Sequence, residues 1–173
     1  NAKDKNLTNT DIYMKYVNGF LEKGGMDITK LERAVTNLFD ENKFYNSNID
    51  FGIMVYNLSE LKSEALTKSE IPKDKVKDYI IASATCFPAF KIKEIGNKKY
   101  IDGGYGDTLP INLSIKMGAT KIIAVDLGQV GFKKTPKQDN VEINYIRPKN
   151  DIGSFLIFEK NQAQKNISYG YND

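Results

Sequence analysis

The residues best suited to chemistry form a short acid–glycine run, Asp102, Gly103 and Gly104. Asp102 ends a predicted strand, and a strand end is where α/β proteins commonly place their sites. The two glycines permit positive φ and let another chain segment come close. Asp-Gly is also a common turn, in which the aspartate only caps the backbone. The run by itself therefore predicts either a catalytic carboxylate or a capped turn.

Acid–base chemistry in this chain must use Asp, Glu, Lys or Tyr, because the sequence contains no histidine. Ser-His-Asp triads, Cys-His dyads and histidine-ligated zinc are excluded within these residues. The single cysteine, Cys86, cannot form an internal disulfide and has no histidine to activate it. We therefore expect Cys86 to be a buried structural thiol and not a nucleophile.

Two further aspartates, Asp107 and Asp126, could join Asp102 in an all-carboxylate metal site. The alternative is that Asp107 orients the loop near the site. Asp126 ends a predicted buried strand and would then bond the backbone of the loop that follows. These residues by themselves leave both possibilities open.

The composition indicates a soluble globular chain of 173 residues, with 40% hydrophobic and 27% charged residues. The net charge is only +3, and Arg33 and Arg147 are the only arginines. Because arginine forks dominate phosphate and base recognition, nucleic-acid binding is disfavoured. No apolar run approaches the roughly 20 residues that cross a bilayer. The polar first residues lack a signal-peptide pattern, so a cytoplasmic location is predicted.

Hydrophobic patterning predicts alternating strands and helices. Strands are predicted at 49–57, 63–68, 121–127 and 142–147, with a hairpin of 90–95 and 98–101 around Gly96-Asn97. Helices are predicted at 12–21 with Thr10 as N-cap and around Leu31, Val35 and Leu38 with a Thr29/Glu32 capping box. Further helices are predicted from a start at Pro72 with an inner face over 76–84, and at 111–117 and 154–167. Residues 131–140 are predicted to be a mobile surface loop. The alternation favours an α/β fold with a mainly parallel sheet and helices on both faces.

Three motifs occur in a characteristic order: ASATCFPAF at 82–90, YIDGGYGDTLPI at 100–111 and MGATKIIAVDLG at 117–128. Together they resemble the C-terminal half of the patatin-like phospholipase family, and the closing residues 142–173 look like its bacterial members. The resemblance is strongest over 49–173 and fainter over 19–48. It implies a partial three-layer α/β/α patatin-like fold, in which residues 1–173 form a single incomplete domain.

The resemblance implies a lipid acyl hydrolase that uses a Ser-Asp dyad and needs neither a metal nor a cofactor. Asp102 matches the dyad aspartate, and the serine would lie in a Gly-x-Ser-x-Gly elbow near a glycine-rich oxyanion loop. None of the serines here has that frame. We therefore expect the nucleophile and the oxyanion half upstream, and this chain by itself to be inactive. Asp107-Thr108 departs from the family's frequent Asp-Asn pair, and we expect the threonine to make a local hydrogen bond in its place.

The expected partner is a lipid or ester substrate, with transient contact with a membrane surface; the sequence carries no signal for an oligomeric state. Phe87, Phe90 and Tyr105 could line an acyl-chain pocket or pack in the core. A group of lysines crowds the hairpin and could face anionic headgroups or form a solvated edge that prevents strand pairing: Lys91, Lys93, Lys98 and Lys99. A second class of function is a non-catalytic binding or scaffold module that kept the fold after losing the serine half.

Overall fold

The computed structural model describes Met14, Asn18, Glu22 and residues 24–129, 131–137, 140–154 and 159–173. The predicted helix over 12–21 and its N-cap lie outside the described residues, apart from Met14 and Asn18. The chain divides into two compact units, residues 1–105 and residues 106–173. Each unit has its own strands and its own apolar cluster.

The first unit contains a four-stranded antiparallel sheet in the order β2-β1-β4-β3. Its strands are β1 (Gly52–Asn57), β2 (Lys62–Thr67), β3 (Lys93–Ile95) and β4 (Lys98–Asp102). The predicted hairpin is confirmed: Ile95 pairs with Lys98 around a two-residue turn in which Gly96 has φ 63°. Positive φ is what such a tight turn requires. The hairpin delivers Asp102 to the end of a central strand.

The mainly parallel sheet that the sequence predicted is not confirmed. Short turns join β1 to β2 and β3 to β4, and antiparallel strands need no longer connection, whereas parallel strands need a crossover of about a dozen residues. β1 has the burial expected of a parallel strand, with Ile53, Met54 and Val55 all buried. It has that burial because it lies between β2 and β4 in the interior of the sheet. A continuous apolar run indicates a central strand, and it does not distinguish the two directions of pairing.

Helices of the first unit cover the sheet around one apolar cluster. They are α1 (Thr29–Leu38), α2 (Glu41–Asn46) and α3 (Val76–Ser83). The buried members of the cluster are Ile53, Val55, Ile71, Val76, Tyr79, Ala82, Ile95 and Tyr100. Helix α3 was predicted to start at Pro72, but it begins at Val76, because Asp74 has φ 68° and interrupts the helical backbone. This cluster fixes the end of α3 against the strands that carry the candidate site.

Helix α1 forms where it was predicted, but its apolar face is only partly covered and its predicted capping box does not form. Leu38 is 85% exposed, so the apolar stripe is not buried along its length. The helix begins after Ile28, and the Asp27 carboxylate accepts a hydrogen bond from the Thr29 N–H at 2.9 Å. The capping box is absent because Asp27, two residues earlier, already satisfies that N–H.

The second unit is built on a parallel pair of strands, with Ile122 opposite Ile143. Its elements are α4 (Ile111–Lys116), β5 (Lys121–Val125), β6 (Glu142–Ile146) and α5 (Lys160–Asn172). Burial alternates along β5, so the prediction that this strand is buried on both faces is wrong. Ile122 and Ala124 face the cluster with Ile111, whereas Ile123 is 72% exposed. The described part of α5 begins at Lys160, and residues 155–158 of the predicted helix lie outside the description.

Both units combine helices and strands, so the mixed α/β class is confirmed. Within the described residues no helix is long and apolar enough to cross a membrane.

Candidate active site

Asp102 is the last residue of β4, and its backbone is held on two sides. It lies opposite Val55 of β1, and its N–H donates to the carbonyl of Thr85 at 2.9 Å. Thr85 is 1% exposed, and its Oγ1 donates to the Ile81 carbonyl at 2.8 Å. A buried residue that follows α3 therefore fixes the strand end from which the Asp102 side chain projects.

The Asp102 carboxylate is half-buried and bonded on one oxygen. The Gly104 N–H donates to Oδ1 at 2.6 Å, and among the described residues no other group hydrogen-bonds to this side chain. Burial raises the pKa of Asp102 above its ordinary 3.8, and the Gly104 hydrogen bond opposes part of that rise. The turn-capping alternative is thus realised through Oδ1. The second oxygen, Oδ2, has no hydrogen-bond partner in the described ranges.

Gly103 allows a close approach that no other residue would permit. A Cβ at this position would lie 2.4 Å from the Met54 carbonyl oxygen and 2.4 Å from the Met54 Cβ. The expectation of a close approach is confirmed here, but neither Gly103 nor Gly104 has positive φ. Gly103 to Tyr105 instead form one turn of 3₁₀ helix. The glycine is therefore needed for space beside β1, and not for backbone handedness.

Tyr105 connects the turn after Asp102 to the segment that follows α3. Its hydroxyl donates to the Phe87 carbonyl, and its ring centroid lies 6.4 Å from that of Tyr56. Tyr105 is 40% exposed, and Phe87 and Phe90 are half-buried, so none of the three aromatic residues is enclosed in the core. The role of these residues as walls of an acyl pocket stays a prediction.

Cys86 lies in the segment that follows α3, between Thr85 and Phe87. The thiol is half-buried, and burial raises its pKa, with a further contribution from the negative charge of Asp102. Burial also raises the pKa of Tyr105, to which Cys86 and Asp102 add. A thiol whose pKa is raised is a poor nucleophile, which agrees with the structural role predicted for Cys86.

Asp107 belongs to the second unit and orients its own loop. It is 4% exposed, and its Oδ1 accepts from the N–H groups of Leu109 at 3.2 Å and Lys134 at 3.3 Å. Thr108 keeps a local hydrogen bond, because its N–H and its Oγ1 both donate to the Phe132 carbonyl, at 2.7 and 3.1 Å. The threonine therefore preserves an ordered loop where the family often has asparagine.

Asp126 holds the end of β5 through three donors. Lys133 Nζ lies 2.7 Å and the Gly128 N–H 3.1 Å from Oδ1, and Arg147 Nε lies 3.2 Å from Oδ2. The Lys133 hydrogen bond and then that of Gly128 lower the pKa of Asp126 to about 2, and Arg147 adds to this. The backbone contact was predicted from sequence, but the two cations were not. In the described ranges, no three acidic or cysteine side chains are grouped so that they could hold a metal ion.

The hairpin lysines mostly form ion pairs. Lys93 lies 3.1 Å from Asp78 and 3.3 Å from Glu32. Lys98 lies 2.5 Å from Glu60, and Lys99 lies 4.0 Å from Glu94. These contacts favour the solvated-edge interpretation over a headgroup-binding one.

A comparison with protein families gave a match that covers the candidate site. The sequence pattern of the family described as patatin-like phospholipase matches residues 2–115, more than half of the chain. The chain belongs to this family. The matched patatin-like region includes Asp102, both glycines and the segment before them. A comparison with curated proteins gave no match.

Membership in the patatin-like phospholipases supports, at the level of the family, an esterase or phospholipase that acts on lipid. The match includes all of the first unit from residue 2 and ends within α4. The resemblance noted over the remaining residues, and to bacterial members in particular, stays a prediction.

Proposed function

We propose that the complete polypeptide hydrolyses carboxylic ester bonds of lipids through a Ser-Asp dyad in which Asp102 is the general base. The observation that carries this proposal is the half-buried carboxylate at the end of β4, whose Oδ1 accepts from Gly104 and whose Oδ2 has no partner among the described residues. The raised pKa of Asp102 supports the same role, because a carboxylate in an apolar environment is a stronger base.

The proposed reaction proceeds in two balanced steps. Asp102 takes the proton of a serine hydroxyl as that oxygen attacks the ester carbonyl carbon. The bond to the leaving alcohol breaks, the alcohol takes the proton from Asp102, and the acyl group remains on the serine. A water molecule then gives a proton to Asp102 and attacks the acyl carbon. The fatty acid leaves, and the proton returns to the serine.

The serine must come from outside these residues. None of the serines in this sequence stands in a Gly-x-Ser-x-Gly frame, which the strand–elbow–helix geometry of such a nucleophile requires. The glycine-rich oxyanion loop must also come from outside these residues. The role of this chain is therefore to position the base, with the Thr85 carbonyl holding the Asp102 backbone and the Gly104 N–H holding the Asp102 side chain.

The test is a comparison of Asp102→Asn with Asp50→Asn in the complete polypeptide, assayed with a short-chain nitrophenyl ester. Asparagine keeps the acceptor for Gly104 but cannot take a proton, so we expect kcat to fall roughly 10²- to 10⁴-fold with KM little changed. Asp50 is an exposed aspartate that precedes β1, and its variant should retain wild-type turnover.

Retention of full turnover by Asp102→Asn rejects the assigned role. A folded wild-type polypeptide with no esterase turnover at all favours the non-catalytic scaffold module instead. Circular dichroism of both variants verifies that any loss of turnover reflects chemistry and not unfolding.

A further inference from the structure

The loop after β5 is anchored through its backbone to the segment 107–112. We call residues 131–137 the basic-aromatic loop. The Phe132 carbonyl of this loop accepts hydrogen bonds from Thr108. Two further backbone groups of the loop bond to the side chain of Asn112. Asn112 Nδ2 donates to the Thr135 carbonyl at 2.9 Å, and the Lys137 N–H donates to Asn112 Oδ1 at 2.9 Å. The predicted surface loop is therefore present, but its described part is bonded at several points.

The side chains of this anchored backbone project outward. Phe132 is 71% exposed, and Leu127, in the turn that Asp126 caps, is 50% exposed. Lys134 and Lys137 are exposed, and within the described part of the chain no carboxylate pairs with either. Lys133 pairs with the buried Asp126 but keeps 41% of its side chain exposed.

An exposed phenylalanine in an otherwise polar, hydrogen-bonded loop contributes nothing to the core of the unit. Burying such a ring would remove its apolar area from water, and the exposed position forgoes that gain. Residues 131–140 contain three lysines and one acidic residue, so the sequence next to Phe132 is basic. An aromatic residue surrounded by basic side chains combines the two terms that bind proteins to anionic lipid interfaces, burial of apolar area and attraction of phosphate.

We propose that the basic-aromatic loop docks on an anionic phospholipid surface, with Phe132 entering the boundary between headgroups and acyl chains. Lys134 and Lys137 would then face lipid phosphates, for which their positive charge is complementary. This inference deepens the proposed function, since an acyl hydrolase must reach substrate held in an aggregate. Lysine, unlike arginine, binds as a point charge, which suits a diffuse layer of headgroups better than one shaped phosphate site.

The experiment is co-sedimentation of the complete polypeptide with vesicles of phosphatidylcholine, with and without phosphatidylglycerol. We expect partitioning only to the anionic vesicles, weakened by high salt. At about 1 kcal/mol per basic residue, Lys134→Gln combined with Lys137→Gln should weaken partitioning roughly 30-fold. Phe132→Ser should weaken it about tenfold, because the inserted ring is lost.

A matched control removes the same charge elsewhere on the same unit. Lys160→Gln combined with Lys165→Gln neutralises two exposed lysines of α5 and should bind vesicles as the wild type does. Equal binding to neutral and anionic vesicles, or no binding to either, overturns the proposal. If the α5 control loses as much binding as the loop variant, the attraction is a non-specific effect of charge, and this result also overturns the proposal. An unaffected Phe132→Ser variant would indicate recognition of a soluble phosphate instead of a bilayer, and also overturns it.

Hydrolysis is not needed for this measurement, so the two proposals can fail separately. Asp102→Asn should partition to anionic vesicles like the wild type, because Asp102 is not part of the basic-aromatic loop. Normal vesicle binding together with full turnover of Asp102→Asn rejects the dyad and retains the docking surface. Loss of turnover in Asp102→Asn with no vesicle binding by any variant does the reverse.

Discussion

At the scale of the residue, the Asp102 side chain divides its two oxygens between structure and chemistry. Oδ1 accepts from Gly104 and so fixes the rotamer, while Oδ2 has no partner among the described residues. The Asp-Gly-Gly run allowed either a turn cap or a base from sequence alone. The geometry shows that one carboxylate is compatible with both, because a cap uses only one oxygen.

The pH dependence of turnover should report this carboxylate. Burial raises the pKa of Asp102 above 3.8, so protonation removes the base at a higher pH than for an exposed aspartate. We expect kcat/KM of the complete polypeptide to fall as pH is lowered, with an apparent pKa above 3.8. The residual activity of Asp102→Asn should lack this limb. An acid limb at or below 3.8 in the wild type contradicts the buried, basic carboxylate.

The contribution of Asp102 to folding stability should change with pH in the direction opposite to that of turnover. Because the folded state binds the Asp102 proton more tightly than the unfolded state, the contribution of this group is most favourable below 3.8 and is lost as pH rises through the folded pKa. Asp102→Asn carries no such charge and should be at least as stable as the wild type at neutral pH. Urea unfolding at acidic and neutral pH measures this. A variant that is clearly less stable at neutral pH argues against a desolvated charge.

Gly103 provides a test of close packing at a single residue. The new methyl group of Gly103→Ala would lie 2.4 Å from the Met54 carbonyl oxygen, so β1 or the turn must move. We expect a loss of about 1–3 kcal/mol in the free energy of unfolding. Gly170→Ala on α5 is the matched control, because nothing lies within 4 Å of its Cβ position. It should be neutral or slightly stabilising, and equal effects of the two changes would contradict the steric account.

At the scale of the element, the sequence predicted the hairpin and helices whose formation depends on a few neighbouring residues. The Gly96-Asn97 hairpin and the helices that begin at Val76 and Ile111 follow from turn residues and short-range patterning, and all are present. The direction of pairing could not be predicted, because a run of buried apolar residues is the same in a central antiparallel strand. Likewise, the composition of β5 did not show that one of its faces lacks a cover among the described residues.

The end of β5 gives a prediction for a whole element. Asp126 links the turn after β5 to Lys133 in the loop and to Arg147 after β6. Asp126→Asn should lower the free energy of unfolding by about 1–2 kcal/mol at neutral pH. This is less than the pKa shift alone would give, because both cations are partly exposed and solvent screens their charges. The pKa of Asp126 is lowered to about 2, so this contribution is present above 3.8 and is lost as pH falls through about 2. Urea unfolding should show the gap between variant and wild type closing on acidification, and a gap independent of pH would contradict it.

At the scale of the whole molecule, the order of motifs was more informative than any single element. Residues 82–111 predicted the family and the aspartate, and the family match confirms the first of these. The pairing of Asp126 with Lys133 and Arg147 had no sequence signal, because it depends on how distant segments fold together. The exposed Phe132 lay in a loop predicted only as polar.

The central claim is that Asp102 activates a serine, and the rate of serine labelling tests it most directly. A fluorophosphonate probe should modify one serine of the complete polypeptide, outside the residues shown here, as mass spectrometry of the digested protein can establish. Asp102→Asn should label at least 100-fold more slowly, within the range expected for loss of a general base, while Asp50→Asn labels at the wild-type rate. Equal labelling rates in the wild type and Asp102→Asn would contradict the account.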